Sequence, residues 1–458
     1  MNRDAVYPCR MIRFLAVALA LALALALAAP ALAAAPDTSR VTAGPTAFLN
    51  VTVIDVVNGT RIPDRAVIVD KGRIQAIAPA SSVRLSSQVK IIEGRGKFLI
   101  PGLWDMHVHA LWDSTVARNF LAECVVHGVT GVRDMGGTIA VMKLADARIA
   151  DGTWLAPRIV RAGVVLDGPQ PVQAEISWPV ADAAAGRAAV DSLAALGAHF
   201  IKVYTLLPRD AYLAVLERAK EKGLAVAGHV PAAIGVGEAA VRGQRSIEHL
   251  RDEIEPIGAG LDTTRLGRLL DTLRTAPTWQ TPTLVATRGK QRMADSSLIK
   301  DRRFAKLPAV VREDWISQWQ HRREREKASY FANRRARFLR EQKLVRAMAR
   351  RGVPLLAGTD AGVPFAYPGS GLHDELEQLV LAGLTPLQAL RTATVEPAKY
   401  LDQPREYGRI GSGIAADLVL LDADPLADIR NVRKVRGVML NGYWFDRAAL
   451  DAAQRDAE

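Results

Sequence analysis

The sequence predicts an α/β protein: a (β/α)8 barrel with a small composite β-sandwich domain formed from both ends of the mature chain. Three observations carry this. The middle of the chain, 101–399, alternates strand-like apolar runs with amphipathic helical stretches, and eight such repeats in about 300 residues suit a barrel. Both flanks of that middle are rich in short β-like runs. No Gly-rich phosphate fingerprint follows the first of the eight strands, which argues against a doubly wound sheet.

In chain order, the first element is a leader. Arg3, Arg10 and Arg13 precede an unbroken Ala/Leu-rich run of 16 residues at 14–29, and Pro30 and Ala31-Leu32-Ala33 follow it. This is the layout of a secretory signal peptide over 1–33, implying a periplasmic or secreted protein with no membrane span after cleavage. A membrane anchor fits less well, because the run falls short of the roughly 20 residues a span needs. Cys9 leaves with the leader, so Cys124 is the one remaining thiol and no internal disulfide can form. Cys124 lies in a mixed apolar run, 116–126, that reads as helix, and a buried structural thiol is the expectation.

The small β domain is assigned to 36–100 plus 400–458. Its N-terminal part contains Phe48-Leu49-Asn50-Val51-Thr52-Val53-Ile54-Asp55 and two short strands around Lys71-Gly72. Its C-terminal part contains Leu418-Val419-Leu420-Leu421 and 435–440, closed by the hairpin dipeptide Asn441-Gly442. The barrel is assigned to 101–399, with strands at 103–107, 129–133, 159–165, 200–203, 225–229, 246–249, 281–285 and 354–358.

Composition fits an ordinary globular chain: 49% hydrophobic and 24% charged residues exclude a disordered, collagen-like or polytopic membrane protein. The net charge of +12 first suggests nucleic acid or an acidic surface. Its location removes nucleic acid as a partner. Residues 286–351 hold 20 Lys and Arg against 7 Asp and Glu, a net of +13, so the rest of the mature chain is slightly acidic. This stretch reads as a basic helical insertion, with Trp315, Trp319, Tyr330 and Phe331 among its charges and Phe338, Leu339 and Leu344 as apolar positions of a helix over 334–351. It is either a solvated face over an aromatic seam or a basic lid attracting anionic substrates or an acidic envelope surface.

In a barrel, chemistry sits at the C-terminal ends of the strands. The first strand ends Asp105-Met106-His107-Val108-His109, and alternate residues share a face, so both His can point inward as a two-imidazole metal site. Later strands end at Lys202-Val203-Tyr204, at His229, at Glu248-His249 and at Thr359-Asp360. Four His, one Lys and one Asp thus fall where a barrel converges its side chains.

On these residues the sequence resembles the amidohydrolase superfamily of metal-dependent hydrolases, nearest its imidazolonepropionase-like and Xaa-Pro dipeptidase-like branch. The matching pieces are Pro101-Gly102-Leu103-Trp104-Asp105-Met106-His107-Val108-His109, Phe200-Ile201-Lys202-Val203, His229, Ser246-Ile247-Glu248-His249 and Gly358-Thr359-Asp360-Ala361-Gly362, then Leu384-Thr385-Pro386 and Gly411-Ser412-Gly413 near the end. The similarity covers about 45–445 and specifies the superfamily far more narrowly than the substrate.

The resemblance implies two divalent metal ions, usually Zn2+. His107, His109 and Asp360 would hold the more buried one, His229 and His249 the other, with Lys202 bridging as a carbamate formed with CO2. A metal-bridging hydroxide would attack the carbonyl, with Asp360 as general base and then acid toward the leaving amine. The substrate would be a small amide, a dipeptide or N-acyl amino acid. A cyclic amide or lactone is the runner-up, and a non-catalytic metal-binding barrel protein the reading from another class. Whether the chain forms a homo-oligomer stays open.

Three residues are candidates for substrate contact. Tyr204 either binds a carboxylate or carbonyl or packs. Arg133 either binds a carboxylate or sits in an internal ion pair. His373 falls in the loop after the eighth strand. Many dipeptidase-like relatives carry a second His two residues beyond the fifth-strand ligand. Here that position is Pro231, so substrate recognition does not transfer from them.

Overall fold

The protein is described from a computed structural model that covers residues 41–42, 44–250 and 263–457; the expected leader over 1–33 lies outside the described residues. Strands from both ends of the chain join one nine-stranded sheet. The join is the antiparallel pairing of Phe98–Pro101 with Leu418–Leu421, in register from Leu418 opposite Pro101 to Leu421 opposite Phe98. Val435–Leu440 and Tyr443–Asp446 extend the sheet on one side, through the expected turn at Asn441-Gly442, while Thr46–Asp55, Thr60–Asp70 and Arg73–Pro79 extend it on the other. Its apolar face closes on Phe48, Val51, Leu99, Leu418, Leu420 and Met439. Phe48 and Trp444 meet edge to face at 5.2 Å, so the two ends share one core. The last element, Arg447–Ala457, is a helix rather than a strand.

The middle of the chain contributes parallel strands separated by helices. Leu103–Val108, Val129–Asp134 and Arg158–Arg161 form a three-stranded sheet. Ser177–Pro179, Val165–Asp167, Phe200–Val203, Ala225–Gly228, Ser246–Glu248 and Trp279–Thr281 form a six-stranded one in that order. The intervening helices are stopped and started by local chemistry. Asp113, Thr138 and Asp182 each accept a hydrogen bond from a backbone N–H of the helix they precede. Leu103, Val132, Ile201, Val203 and Ile247 bury against the apolar faces of those helices in the largest core cluster.

Three expected strands differ. The run at 159–165 is split into Arg158–Arg161 and Val165–Asp167, because Gly163 turns the chain at φ +78°. The run at 281–285 is mostly not a strand. Pairing ends at Thr281, Thr283 turns at φ +49°, and a helix begins at Leu284. The cause is Glu375, whose buried carboxylate takes the N–H groups of Leu284 and Val285 at 3.0 and 2.7 Å and so caps a helix there. The run at 354–358 forms no regular strand, yet its backbone is bonded on both sides. Gln280 N donates to Pro354 O and Leu356 N to Gln280 O, while Met106 N donates to Ala357 O. It therefore links the last strand of the six-stranded sheet to the first of the three-stranded one.

The basic stretch begins in the helix Leu284–Gln291 and, from residue 309 on, folds as two longer helices, Ala309–Arg325 and Ala328–Arg351. Trp315 and Trp319 are buried with Phe304, Phe365 and Tyr367. On the second helix Phe338, Glu341, Leu344, Val345 and Met348 face inward at helical spacing. Leu339 does not join them: it lies one residue, about 100°, off that stripe and is 49% exposed. No helix among the described residues is long and apolar enough to cross a membrane.

Candidate metal centre

The first parallel strand, Leu103–Val108, delivers the first ligand pair. His107 is fully buried, and His109 follows just past the strand end. Each imidazole is held by its Nδ1. That of His107 donates to Glu248 Oε2 at 2.7 Å and that of His109 to the Gly136 carbonyl at 2.9 Å. With Nδ1 carrying the proton, each Nε2 keeps its lone pair for a metal.

Asp360 completes the set. Ligand atoms of His107, His109 and Asp360 lie within 4.8 Å of one another. Asp360 Oδ1 is 3.4 Å from His107 Nε2 and 3.5 Å from His109 Nε2. The 3.4 Å approach lacks hydrogen-bond geometry, and His107 Nε2 has no hydrogen-bond partner. A buried imidazole lone pair aimed at a carboxylate is a repulsive arrangement unless a cation lies between them. The donor set therefore fits a divalent cation. Burial, with the nearby cations Lys202 and Arg133, pushes His107 well below its ordinary pKa, which keeps the ring in the ligating neutral form.

The other expected ligands gather around this trio. The rings of His249 and His107 are 4.5 Å apart, and those of His249 and His229 are 4.9 Å apart. His249 Nδ1 lies 2.8 Å from Thr283 Oγ1 and His229 Nδ1 lies 2.8 Å from Thr205 Oγ1, again turning Nε2 away from the bonded side. Lys202 is 1% exposed and its Nζ has no hydrogen-bond partner. Burial lowers its pKa to about 8. A buried ammonium without a hydrogen bond is costly, so this amine suits a neutral or covalently modified form.

Backbone conformation aims several of these groups. Asp360, His249 and Thr283 have φ of +58°, +75° and +49°. Such residues outside glycine cost of order 1–3 kcal/mol each and collect at functional sites. Two glycines allow close approach. A Cβ at Gly358 would lie 2.8 Å from His107 Cβ, and one at Gly228 would lie 3.0 Å from Lys202 Cδ and 2.1 Å from the Val203 carbonyl.

The substrate-contact candidates separate. Tyr204 stacks on His229 with centroids 4.0 Å apart, at the centre. Arg133 is fully buried and is no substrate contact: its guanidinium donates to Glu248 Oε1 at 2.8 Å, to Ser246 Oγ at 2.7 Å and to the Met106 carbonyl at 2.6 Å. The internal ion pair is the reading that holds. His373 is buried and its Nε2 donates to the His127 carbonyl at 2.8 Å, against the ring of His127. That bond occupies the nitrogen a substrate would need.

Sequence reasoning passed over the groups behind the ligands. Glu248 is one residue from His249 but points to His107 and Arg133 instead, as alternation along the strand Ser246–Glu248 requires. Asp105 staples the first strand to the turn before Asp360. It accepts from Thr359 N at 3.0 Å and Thr359 Oγ1 at 2.7 Å, and burial raises its pKa to about 7. The alternation Asp105–His107–His109, with Glu248 before His249, was the available signal.

Comparison with known proteins places the chain in a family. Residues 98–445 match the Amidohydrolase family. An adenine deaminase of Chelativorans sp. (strain BNC1) is 28% identical over 189 residues, 37% of this chain and 29% of that protein. The chain thus spans less than a third of the length of this relative. Among solved structures, bottromycin amidohydrolase superposes with a TM-score of 0.72 at 26% identity, covering 94% of this chain and 93% of that one. A Xaa-Pro dipeptidase with bound methionine in its active site superposes with a TM-score of 0.67 at 23% identity, covering 88% and 100%, a likeness of fold alone.

Proposed function

The chain belongs to the amidohydrolase family; from that premise we propose that it is a hydrolase of carbon–nitrogen bonds, an exported, metal-dependent enzyme cleaving a small amide, a dipeptide or an N-acyl amino acid. The observation that carries this is the convergence of His107, His109 and Asp360 within 4.8 Å beside a buried lysine amine with no hydrogen-bond partner. We assign His107, His109 and Asp360 to one divalent ion, His229 and His249 to a second, and Lys202 to both. Bound there, Zn2+ supplies Lewis acidity at the scissile carbonyl and brings the pKa of water toward about 7.

The chain's own residues do the rest. Neutral Lys202 Nζ adds to the carbon of CO2 and releases one proton, giving a carbamate with two carboxylate-like oxygens in place of an ammonium. The lowered pKa and the lack of a competing hydrogen bond support that step. The Asp360 carboxylate takes the proton of the attacking water and returns it to the departing nitrogen, which an amide leaving group requires. Tyr204, whose ring stacks on His229, is assigned to a substrate carboxylate or carbonyl.

The finer architecture is part of the same proposal. A closed (β/α)8 barrel over 101–399 is supported by the backbone bonds that 354–357 makes to both parallel sheets. A small β domain of 36–100 plus 400–458 is supported by the shared nine-stranded sheet. Export rests on the basic, apolar and small-residue regions of 1–33.

Metal analysis of the purified protein, with a panel of Xaa-Xaa dipeptides, N-acyl amino acids and cyclic amides or lactones, tests the proposal. The expected result is about two ions per chain and turnover of a linear amide that is lost on chelation. Turnover confined to cyclic substrates would shift the substrate class. A protein with no metal and no rescue by Zn2+ or Mn2+ would overturn the proposal.

A further inference from the structure

A cavity of about 250 Å3 lies where the helix Ser114–Val126 meets residues 302–307, the turn 367–370 and the C-terminal helix Arg447–Ala457. None of the metal-centre residues lines it. Two of its lining side chains carry a buried polar atom without a hydrogen-bond partner inside the fold. Asn119 is 3% exposed and its Nδ2 has no hydrogen-bond partner; Tyr367 is 4% exposed and its Oη has none. Buried side-chain donors are satisfied in the large majority of cases, and two orphans on one cavity mark a missing acceptor.

The charge around the cavity has the matching sign. Arg302, Arg303 and Lys306 line it, against one carboxylate, Glu123, which already accepts from Gln454 Nε2 at 2.6 Å. Arg303 is fixed in place: it is bonded to Asp301 and Asp374 at 2.8 and 2.7 Å, and its guanidinium lies 4.3 Å from the Tyr367 ring centroid. Lys306 is steadied by Gln454 Oε1 at 3.0 Å. The charge of Arg303 is answered by Asp301 and Asp374, which leaves Arg302 and Lys306 as the cations facing the two orphaned donors; together these select a group that only accepts hydrogen bonds and carries negative charge. They exclude a metal cation. We propose that this cavity is a second ligand site, separate from the metal centre, that holds a small oxyanion, a carboxylate or a phosphate, between Asn119, Tyr367 and the Arg302, Arg303 and Lys306 cations.

The test is calorimetric titration of the full-length protein with inorganic phosphate and, separately, with acetate, alongside thermal unfolding in each anion. The two arms separate a phosphate-bearing from a carboxylate-bearing ligand. At least one anion binds saturably and raises Tm. Tyr367→Phe removes an orphaned donor without adding volume, so its Tm without anion stays at or above that of the wild type, which shows that it folds; Asn119→Leu removes the other at the same branching, and its Tm without anion checks that it folds. In these variants and in Lys306→Gln, the Kd for that anion rises about tenfold or more. Absence of saturable binding of either anion overturns the proposal. So does binding that these three substitutions leave unchanged, because the anion would then sit elsewhere and the orphans would be met by water.

Discussion

Glu248→Gln tests the buried assembly behind the metal centre. The Glu248 carboxylate is 1% exposed. Its Oε1 accepts from Arg133 Nη2 at 2.8 Å and from Ser246 Oγ, and its Oε2 accepts from His107 Nδ1 at 2.7 Å. Glutamine has one acceptor oxygen and one NH2 group, so it satisfies either the arginine or the histidine and opposes the other with a donor. It also removes the counter-charge of a fully buried guanidinium. Breaking a buried pair from one side costs about 3–5 kcal/mol. Loss of a carboxylate that orients a ligand histidine weakens metal binding about 10–100-fold. Urea unfolding of the metal-free protein, followed by tryptophan fluorescence, measures the first effect. Competition with a chromophoric chelator measures the second. Arg133→Met combined with Glu248→Leu should recover most of the stability lost in the single variant, because no unpaired charge remains. A single variant within about 1 kcal/mol of wild type, with metal affinity unchanged, would refute the argument that this pair holds His107 in place.

Asp360→Asn should lower kcat about 10²–10⁴-fold while much of the metal is retained, as measured by turnover beside metal content; full activity would remove Asp360 from proton transfer. Gly358→Ala places a methyl 2.6 Å from Thr281 Cγ2 and 2.8 Å from His107 Cβ. It should cost about 1–3 kcal/mol in unfolding measurements and weaken metal binding, whereas a neutral outcome would show that the approach can relax. Lys202 gives a pH signature in metal-free, CO2-free protein. Its native pKa is about 8 against an ordinary 10.5, so between those values the unfolded chain holds a proton that the native state lacks. The Lys202 contribution to stability then rises as pH goes from about 8 to 10.5, by at most about 3 kcal/mol, and is constant below pH 8. Lys202→Met should abolish that slope, and a wild-type stability that falls over this window contradicts the burial argument.

How much of this was legible in the sequence depended on the range of the physics involved. His107 and His109 could be read because period-two alternation is local, and Lys202, His229, His249 and Asp360 because each lies at or beside the end of a short apolar run, their roles coming from the family resemblance. The strand expected at 281–285 failed because a side chain about 90 residues away, Glu375, captures its last two N–H groups, those of Leu284 and Val285, and starts a helix there; no local pattern announces that. Arg133 and His373 look like substrate groups in one dimension. Only three-dimensional packing shows their nitrogens already committed, to Glu248 and to the His127 carbonyl. Leu339 shows the reverse case: the helix and its inward Phe338 and Leu344 were read correctly, and a neighbouring position off that face was wrongly included.

The nine-stranded sheet has a consequence for timing. Pro101 and Leu418 are sheet neighbours although roughly 320 residues separate them along the chain. At about 5–20 residues per second, the N-terminal strands wait on the order of 15–60 s for their partner to be synthesised. Until then Phe48, Val51 and Leu99 present an apolar face and an unpaired edge, the exposure that invites aggregation. On the export proposed above, that delay turns from hazard to advantage: this sheet cannot lock before the last strands exist, so it would close only after they too have crossed the membrane.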